Sequence, residues 1–267
     1  MAIRVCVAGA TGWAGASITR HILASTDFVL AGAVARQQVG SDVGAALGLP
    51  HSGIRIAGTV TEALQAPTDV LIDYTRPDAV KAHTLAALAA GVRVVIGTSG
   101  LTAADYAEID QAAKERNLGV IAAGNFSLTA ALAKHFALIA AQYLPSWELI
   151  DYAHAHKIDA PSGTVRELAE ELGRVATPQT EVPIGRTLGT PAARGAAIEG
   201  TQVHSIRLPG YVIAFEAVFG LPDERLTVRH DAGAGADPYV AGTLLATRKV
   251  LQTTGLVRGL DRLLFEH

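Results

Sequence analysis

Ile3-Arg4-Val5-Cys6-Val7-Ala8-Gly9-Ala10-Thr11-Gly12-Trp13-Ala14-Gly15 stands at the start of the chain. A nearly all-apolar run is followed at once by glycines spaced G-x-x-G-x-x-G and then by a segment of helical length, Ala14–Ala24. Such a run reads as a strand covered on both faces. Glycines between a strand and a helix let the backbone turn tightly and approach a pyrophosphate, which rests on the free N–H groups of the helix start. Gly-rich turns of this kind also occur without any ligand, so the motif takes its meaning from the segments downstream of it.

Those segments repeat the unit. Strand-like runs Val29–Ala35, Val70–Tyr74, Val92–Ile96 and Gly119–Ala122 alternate with helix candidates Pro77–Ala90 and Ala103–Arg116. Pro77 stands at a helix start, where its fixed φ and missing N–H cost least. Gly91 and Asn117 stand just past two helix ends, the usual place for a left-handed cap. The alternation predicts an α/β fold, a Rossmann-type doubly wound parallel sheet.

The rhythm changes after Asn125. A helix (Leu128–Tyr143), a strand-like stretch (Trp147–His156) and a helix from Gly163 precede a Gly/Pro/Thr-rich loop, Thr177–Gly200. Three strand-like runs come next, near Gln202–Leu208, Tyr211–Phe219 and Arg225–His230, predicting a mostly antiparallel sheet in an inserted α+β domain. The expected boundaries are 1–126 plus 236–267 for a dinucleotide-binding domain and 127–235 for a substrate domain. The last helix, Pro238–Thr253, returns to the first.

Composition narrows the function. With 267 residues, 49% hydrophobic and 18% charged, the chain is expected to be globular. A formal net charge of -3 favours neither nucleic acid nor an anionic membrane surface. Cys6 is the lone cysteine, which excludes an internal disulfide. No apolar run reaches the roughly 18 residues of a membrane span, and the opening reads as a strand instead of a signal peptide. The expected location is the cytoplasm.

After the second predicted strand the chain reads Ala33-Val34-Ala35-Arg36-Gln37, with an arginine where an NAD-preferring site places an acid. Arg36 suits a 2′-phosphate, so NADPH is the preferred cofactor and NADH is admitted. A solvated arginine is the plainer alternative. Further on stands His154-Ala155-His156-Lys157-Ile158-Asp159-Ala160-Pro161-Ser162-Gly163-Thr164. A helix start with His and Lys nearby is a ready carboxylate site. The alternative is an ordinary helix cap, since Thr164 and Glu167 fit a capping box. A metal held by His154 and His156 is not expected, because no further ligand stands at a supporting spacing.

Together these stretches, with Val39–Gly44, Asp73–Pro77, Gly97–Gly100 and Asn125–Ser127, resemble the 4-hydroxy-tetrahydrodipicolinate (dihydrodipicolinate) reductases of lysine and diaminopimelate biosynthesis. The resemblance covers nearly the whole chain. It implies hydride transfer from NAD(P)H to a cyclic unsaturated dicarboxylate, and a homotetramer built on the inserted sheets. It implies that Gly9, Ala10, Thr11, Gly12, Trp13 and Ala14 hold the pyrophosphate and Arg36 the adenosine ribose or its phosphate. Gly97, Thr98, Ser99, Gly124, Asn125 and Phe126 line the nicotinamide. Lys157 matches the catalytic lysine and His154 a substrate-contacting histidine also counted as catalytic. Ser162, Gly163 and Thr164 match the substrate-carboxylate turn.

The sequence also departs from the family pattern. Ala153 stands where the family has its proposed acid/base histidine, Ile213–Glu216 replaces Gly-Glu-His-Thr, and Gly233–Asp237 replaces Ser-Ser-Arg. Two rivals therefore stand beside the family reaction: a paralogous NADPH-dependent imine reductase on another carboxylated substrate, and a catalytically idle NADPH-binding sensor. On the family reading, a histidine restored at 153 returns a general acid worth at most about 10²–10⁴-fold. In a pocket reshaped for another substrate, it only crowds a space that the alanine methyl leaves open.

Overall fold

The computed structural model describes residues 2–265, so positions 1 and 266–267 of the expected first domain lie outside the described residues. The chain divides into two compact units, one running to Leu128 and resuming at Ala236, the other spanning Thr129–Gly235.

The first unit begins with β1 (Ile3–Ala8), α1 (Trp13–Leu23), β2 (Phe28–Val34), α2 (Val43–Ala46), β3 (Ile56–Ala57) and α3 (Val60–Ala63). It continues through β4 (Val70–Asp73), α4 (Pro77–Ala89), β5 (Arg93–Ile96), α5 (Ala103–Glu115) and β6 (Gly119–Ala122). Val5, Val7, Leu71, Ile72, Val94, Val95, Val120 and Ile121 are completely buried, as strands covered on both faces require. Pro77 is the first residue of α4. Gly91 (φ 76°) and Asn117 (φ 54°) take the left-handed conformation just beyond α4 and α5, so both helices stop where the sequence places their caps.

The second unit holds α6 (Leu128–Ala140), β7 (Ser146–Ala153), α7 (Gly163–Val175), β8 (Ala196–Ile198), β9 (Thr201–Arg207), β10 (Ile213–Leu221) and β11 (Glu224–Ala232). Its strand order is β11-β10-β7-β9-β8. The pairs β10–β11, β10–β7 and β8–β9 are antiparallel, while β7–β9 is parallel. That parallel pair arises from connectivity: α7 and the long segment after it form a crossover between β7 and β9. The segment expected as one loop, Thr177–Gly200, contains 3-10 turns at Ile184–Arg186 and Pro191–Arg194 and the strand β8. On α7, Val165, Leu168, Ala169 and Leu172 recur at helical spacing and are buried with Leu149 and Phe219 of the sheet.

The chain then returns to the first unit as α8 (Pro238–Lys249), β12 (Gly255–Arg258) and α9 (Leu260–Phe265). Among the described residues the first unit's sheet has seven strands in the order β12-β6-β5-β4-β1-β2-β3. Every adjacent pair is parallel. Strand order reverses between β1 and β4, and the crevice outside the carboxyl ends of strands at such a point is where open α/β sheets bind ligands. A Cβ on Gly242 of α8 would lie 2.0 Å from the Phe126 carbonyl oxygen, so helix and loop are in backbone contact.

Candidate active site

Two close approaches shape the glycine loop. Gly9 has φ 84°, and a Cβ there would lie 2.2 Å from the Tyr74 carbonyl oxygen. A Cβ on Gly15 would lie 2.0 Å from the Gly9 carbonyl oxygen. Only residues without side chains let the loop fold onto its own helix. The N–H groups of Gly9 and Ala10 donate to the Val34 carbonyl at 2.9 and 3.0 Å, and that of Gly12 donates to the Gly9 carbonyl. The first two fix the loop to β2, and the third closes the loop on itself. The donors available to a ligand include those of the first turn of α1, Trp13, Ala14 and Gly15, which have no acceptor within the helix. The next, Ala16, already donates to the Gly12 carbonyl. Gly12, the N-cap, supplies no side-chain cap either.

A cleft of about 440 Å³ opens beside this helix start. Its lining brings together Gly12, Trp13, Ala14, Gly97, Thr98, Ser99, Gly124 and Phe126, all expected at the cofactor. It adds Tyr74, Thr75 and Pro77, from the family-like stretch Asp73–Pro77 for which no site role was expected, and Tyr239, which no motif marks. Gly9, Ala10, Thr11, Arg36 and Asn125 lie outside the lining. Asn125 accepts the Ser127 N–H on its Oδ1 at 2.8 Å, and Arg36, just past β2, is exposed.

The Tyr74 ring lies where a Gly97 side chain would point, with its Cζ 2.2 Å from a Cβ built there. The Thr243 hydroxyl donates to the Tyr239 carbonyl at 2.7 Å. The Tyr74 hydroxyl, 2.7 Å from Thr243 Oγ1, is therefore the donor in that contact. Burial pushes the Tyr74 hydroxyl well above the usual tyrosine range and raises Tyr239 as well, keeping both neutral. Tyr239 meets Trp13 edge-on, with ring centroids 5.6 Å apart. At the end of β4, the completely buried Asp73 carboxylate binds Thr75, Thr98 and His83.

In the second unit, Lys157 lies between β7 and α7. Its Nζ is 2.7 Å from Asp159 Oδ1, with 23% of its side chain exposed. The bond from Lys157 holds the Asp159 carboxyl below the usual range. The Lys157 N–H donates to the His154 carbonyl at 3.1 Å. His154 and His156 are exposed, their ring centroids 6.5 Å apart.

Ser162, not Thr164, caps α7: its Oγ accepts the Val165 N–H at 3.4 Å. This corrects the capping box expected from Thr164 and Glu167. Thr164 is the second helical residue, and Glu167 accepts from Lys134 Nζ at 2.9 Å. The turn is set earlier because Asp151 Oδ2 accepts the Ser162 N–H at 2.9 Å. Gly163 and Thr164 therefore open the helix with their N–H groups, and a Cβ on Gly163 would meet nothing within 4 Å. Arg207 Nη2 donates to Asp151 Oδ2 at 2.6 Å and to the Asp159 carbonyl at 2.7 Å. One guanidinium thus ties β9 to β7 and to the lysine loop.

Asp73 and Asp151 were missed as site-building residues, though each carried a signal. Asp73 closes an otherwise apolar strand run and Asp151 follows the apolar pair Leu149-Ile150, and a buried carboxylate demands partners. Those partners, His83 and Arg207, lie too far along the chain for spacing to identify them.

Ala153 corrects a second expectation. It is completely buried at the end of β7, and by strand alternation it shares the helix-covered face with Leu149 and Asp151. It does not border open space. Ala153→His should therefore overpack the core, at about 1–3 kcal/mol, lowering Tm by several degrees without raising turnover. A gain in kcat at unchanged Tm would show that this position opens to the substrate.

A parallel sheet reversing at β1 and β4, with an uncapped glycine-built helix start beside an aromatic cleft, defines an α/β dinucleotide-binding oxidoreductase. Comparison with known proteins narrows the class. The family profile "Dihydrodipicolinate reductase, N-terminus" matches residues 3–126, and "Dihydrodipicolinate reductase, C-terminus" matches 126–264. The 4-hydroxy-tetrahydrodipicolinate reductase of Moorella thermoacetica is 41% identical over 264 residues, covering 98% of each chain. That of Desulfitobacterium hafniense is 38% identical with the same coverage. A dipicolinate-bound dihydrodipicolinate reductase from Paenisporosarcina sp. TG-14 superposes with a TM-score of 0.87 at 30% identity, covering 98% of this chain and 99% of that one. An amine dehydrogenase from Mycobacterium smegmatis, at 17% identity and TM-score 0.66, shares the fold. The chain belongs to the dihydrodipicolinate reductase family, whose members are NAD(P)H-dependent oxidoreductases.

Proposed function

We propose that this chain reduces 4-hydroxy-tetrahydrodipicolinate with NADPH, as a cytoplasmic enzyme of diaminopimelate and lysine biosynthesis. The observation that carries the reading is the Lys157-to-Thr164 run: an ion-paired lysine stands beside a helix whose first N–H groups are open. Relatives matching over the whole length bear this one activity in their names, which favours neither the imine reductase nor the idle sensor.

The cofactor fits the residues present. The first turn of α1 offers N–H groups to a pyrophosphate, and Gly9 and Gly15 let the loop before it pack close to the Tyr74 carbonyl and onto its own helix. Gly97, Thr98, Ser99, Gly124 and Phe126 receive the nicotinamide, which supplies the hydride when bound. In the second unit, Gly163 and Thr164 take a substrate carboxylate on their N–H groups, with Ser162 holding the turn and His154 contacting the substrate. Lys157 Nζ, oriented by Asp159, delivers the proton.

Arg36, exposed just past β2, is the 2′-phosphate ligand in this reading. Arg36→Ala should weaken NADPH roughly 10- to 150-fold, the worth of a hydrogen bond to a charged group, and leave NADH nearly unchanged. Equal losses for the two cofactors would overturn the assignment. The second unit's sheet is covered on one face by α6 and α7, and its other face carries a concavity of about 1090 Å³. A homotetramer built on that face is the assembly we propose, and light scattering of the purified chain tests it.

The function itself is tested by NADPH oxidation with freshly generated 4-hydroxy-tetrahydrodipicolinate beside a panel of cyclic imines. Turnover of an imine with none of the dicarboxylate would overturn it.

A further inference from the structure

Asp73 Oδ1 accepts the Thr75 hydroxyl at 2.6 Å, the Thr75 N–H at 2.9 Å and the Thr98 hydroxyl at 2.9 Å. Its Oδ2 receives His83 Nδ1 at 2.8 Å. A charge fully buried between two helix layers is tolerated when its acceptor sites are filled in this way.

The position of the carboxylate matters more than its satisfaction. Thr75 lies just past β4 and Thr98 just past β5, and both line the cleft. Thr98, expected as a cofactor contact, turns its hydroxyl onto Asp73 and also accepts the Thr75 N–H, at 2.8 Å. The Thr98 hydroxyl is therefore committed to this link and not to a ligand. Through His83, the same carboxylate is anchored to α4. One buried group thus joins the two cleft loops to each other and to a helix.

We propose that Asp73, backed by His83, is a positioning residue that sets the spacing of the loops after β4 and β5 and so shapes the nicotinamide end of the cleft. The inference rests on the reading of Gly97–Ser99 as the nicotinamide loop. Asp73 touches no ligand; it acts through Thr75 and Thr98. Its loss is therefore felt by the part of the cofactor those loops receive and not by the rest of the dinucleotide.

Calorimetric binding of NADPH and of 2′-phospho-ADP-ribose, which lacks only the nicotinamide, tests this in the full chain. Asp73→Asn and Thr98→Val should each raise the NADPH Kd roughly 3- to 30-fold, within the usual span for coupled contacts. Both should leave the nicotinamide-free fragment within about twofold of wild type, because the loops anchored by Asp73 do not receive it. The double variant should bind NADPH no worse than the weaker single variant, since both changes loosen one link. A thermal melt confirms that each variant is folded at the assay temperature. Should Asp73→Asn not fold, Thr98→Val decides alone by the same comparison. Equal weakening of both ligands, or an unchanged NADPH Kd, overturns the inference while leaving the cofactor reading in place. A wild type that binds neither ligand overturns the cofactor reading and this inference with it.

Discussion

Lys157→Met should lower kcat by about 10²–10⁴-fold, the usual contribution of a positioned general acid, at an unchanged cofactor affinity. Methionine keeps an unbranched stem of similar bulk and removes the ammonium, so packing is nearly preserved. The Lys157–Asp159 pair is partly exposed, and such pairs contribute about 0–1 kcal/mol to stability, so Tm should move little. Asp159→Asn should cost less in kcat, because the ammonium stays and loses only its orienting carboxylate. Single-turnover measurement with preformed cofactor complex separates the proton step from binding. Retention of wild-type kcat in Lys157→Met would transfer the proton to His154 or to water.

Arg207→Met should have the largest effect on stability, about 3–5 kcal/mol, the cost of stranding one member of a buried pair. Asp151 is completely buried, and Arg207 is the cation facing it, at 2.6 Å with 16% of its side chain exposed. Without the guanidinium, the carboxylate keeps the Ser162 N–H and the Ser205 hydroxyl at 3.3 Å but loses its countercharge. Chemical denaturation reads the loss. Because Arg207 also holds the Asp159 carbonyl, the substrate KM should rise in whatever fraction stays folded. Loss of stability with an unchanged KM would mean the arginine braces the sheet and not the lysine loop.

The sequence made the layered architecture legible because its signals are local. Val70–Asp73 and Gly119–Ala122 are apolar almost throughout, and strands buried on both faces tolerate that. β3 and β12 escaped notice for a physical reason. β3 has two residues, and β12, Gly255–Arg258, is a short edge strand that becomes one by pairing with β6. At the site, the glycine loop and the lysine run were readable as motifs. Their support was not, since Tyr74 meets Thr243 from 169 residues away and Arg207 meets Asp151 from 56. The true cap of α7 was hidden similarly: Ser162 and Thr164 are both good capping residues, and the choice falls to Asp151, eleven residues upstream.

The first unit is assembled from both ends of the chain, and this imposes an order on its birth. When Leu128 leaves the ribosome, β6 still lacks β12 as its neighbour, and Tyr74 still lacks the hydroxyl of Thr243. Residues 129–235 must be synthesised before either arrives, a wait of roughly 5–20 s at the usual rate of about 5–20 residues per second. The second unit is one continuous stretch and has no such wait. It can close its own core while the nascent first unit is still held open at one sheet edge, so the interrupted unit, although begun first, is the last to be completed.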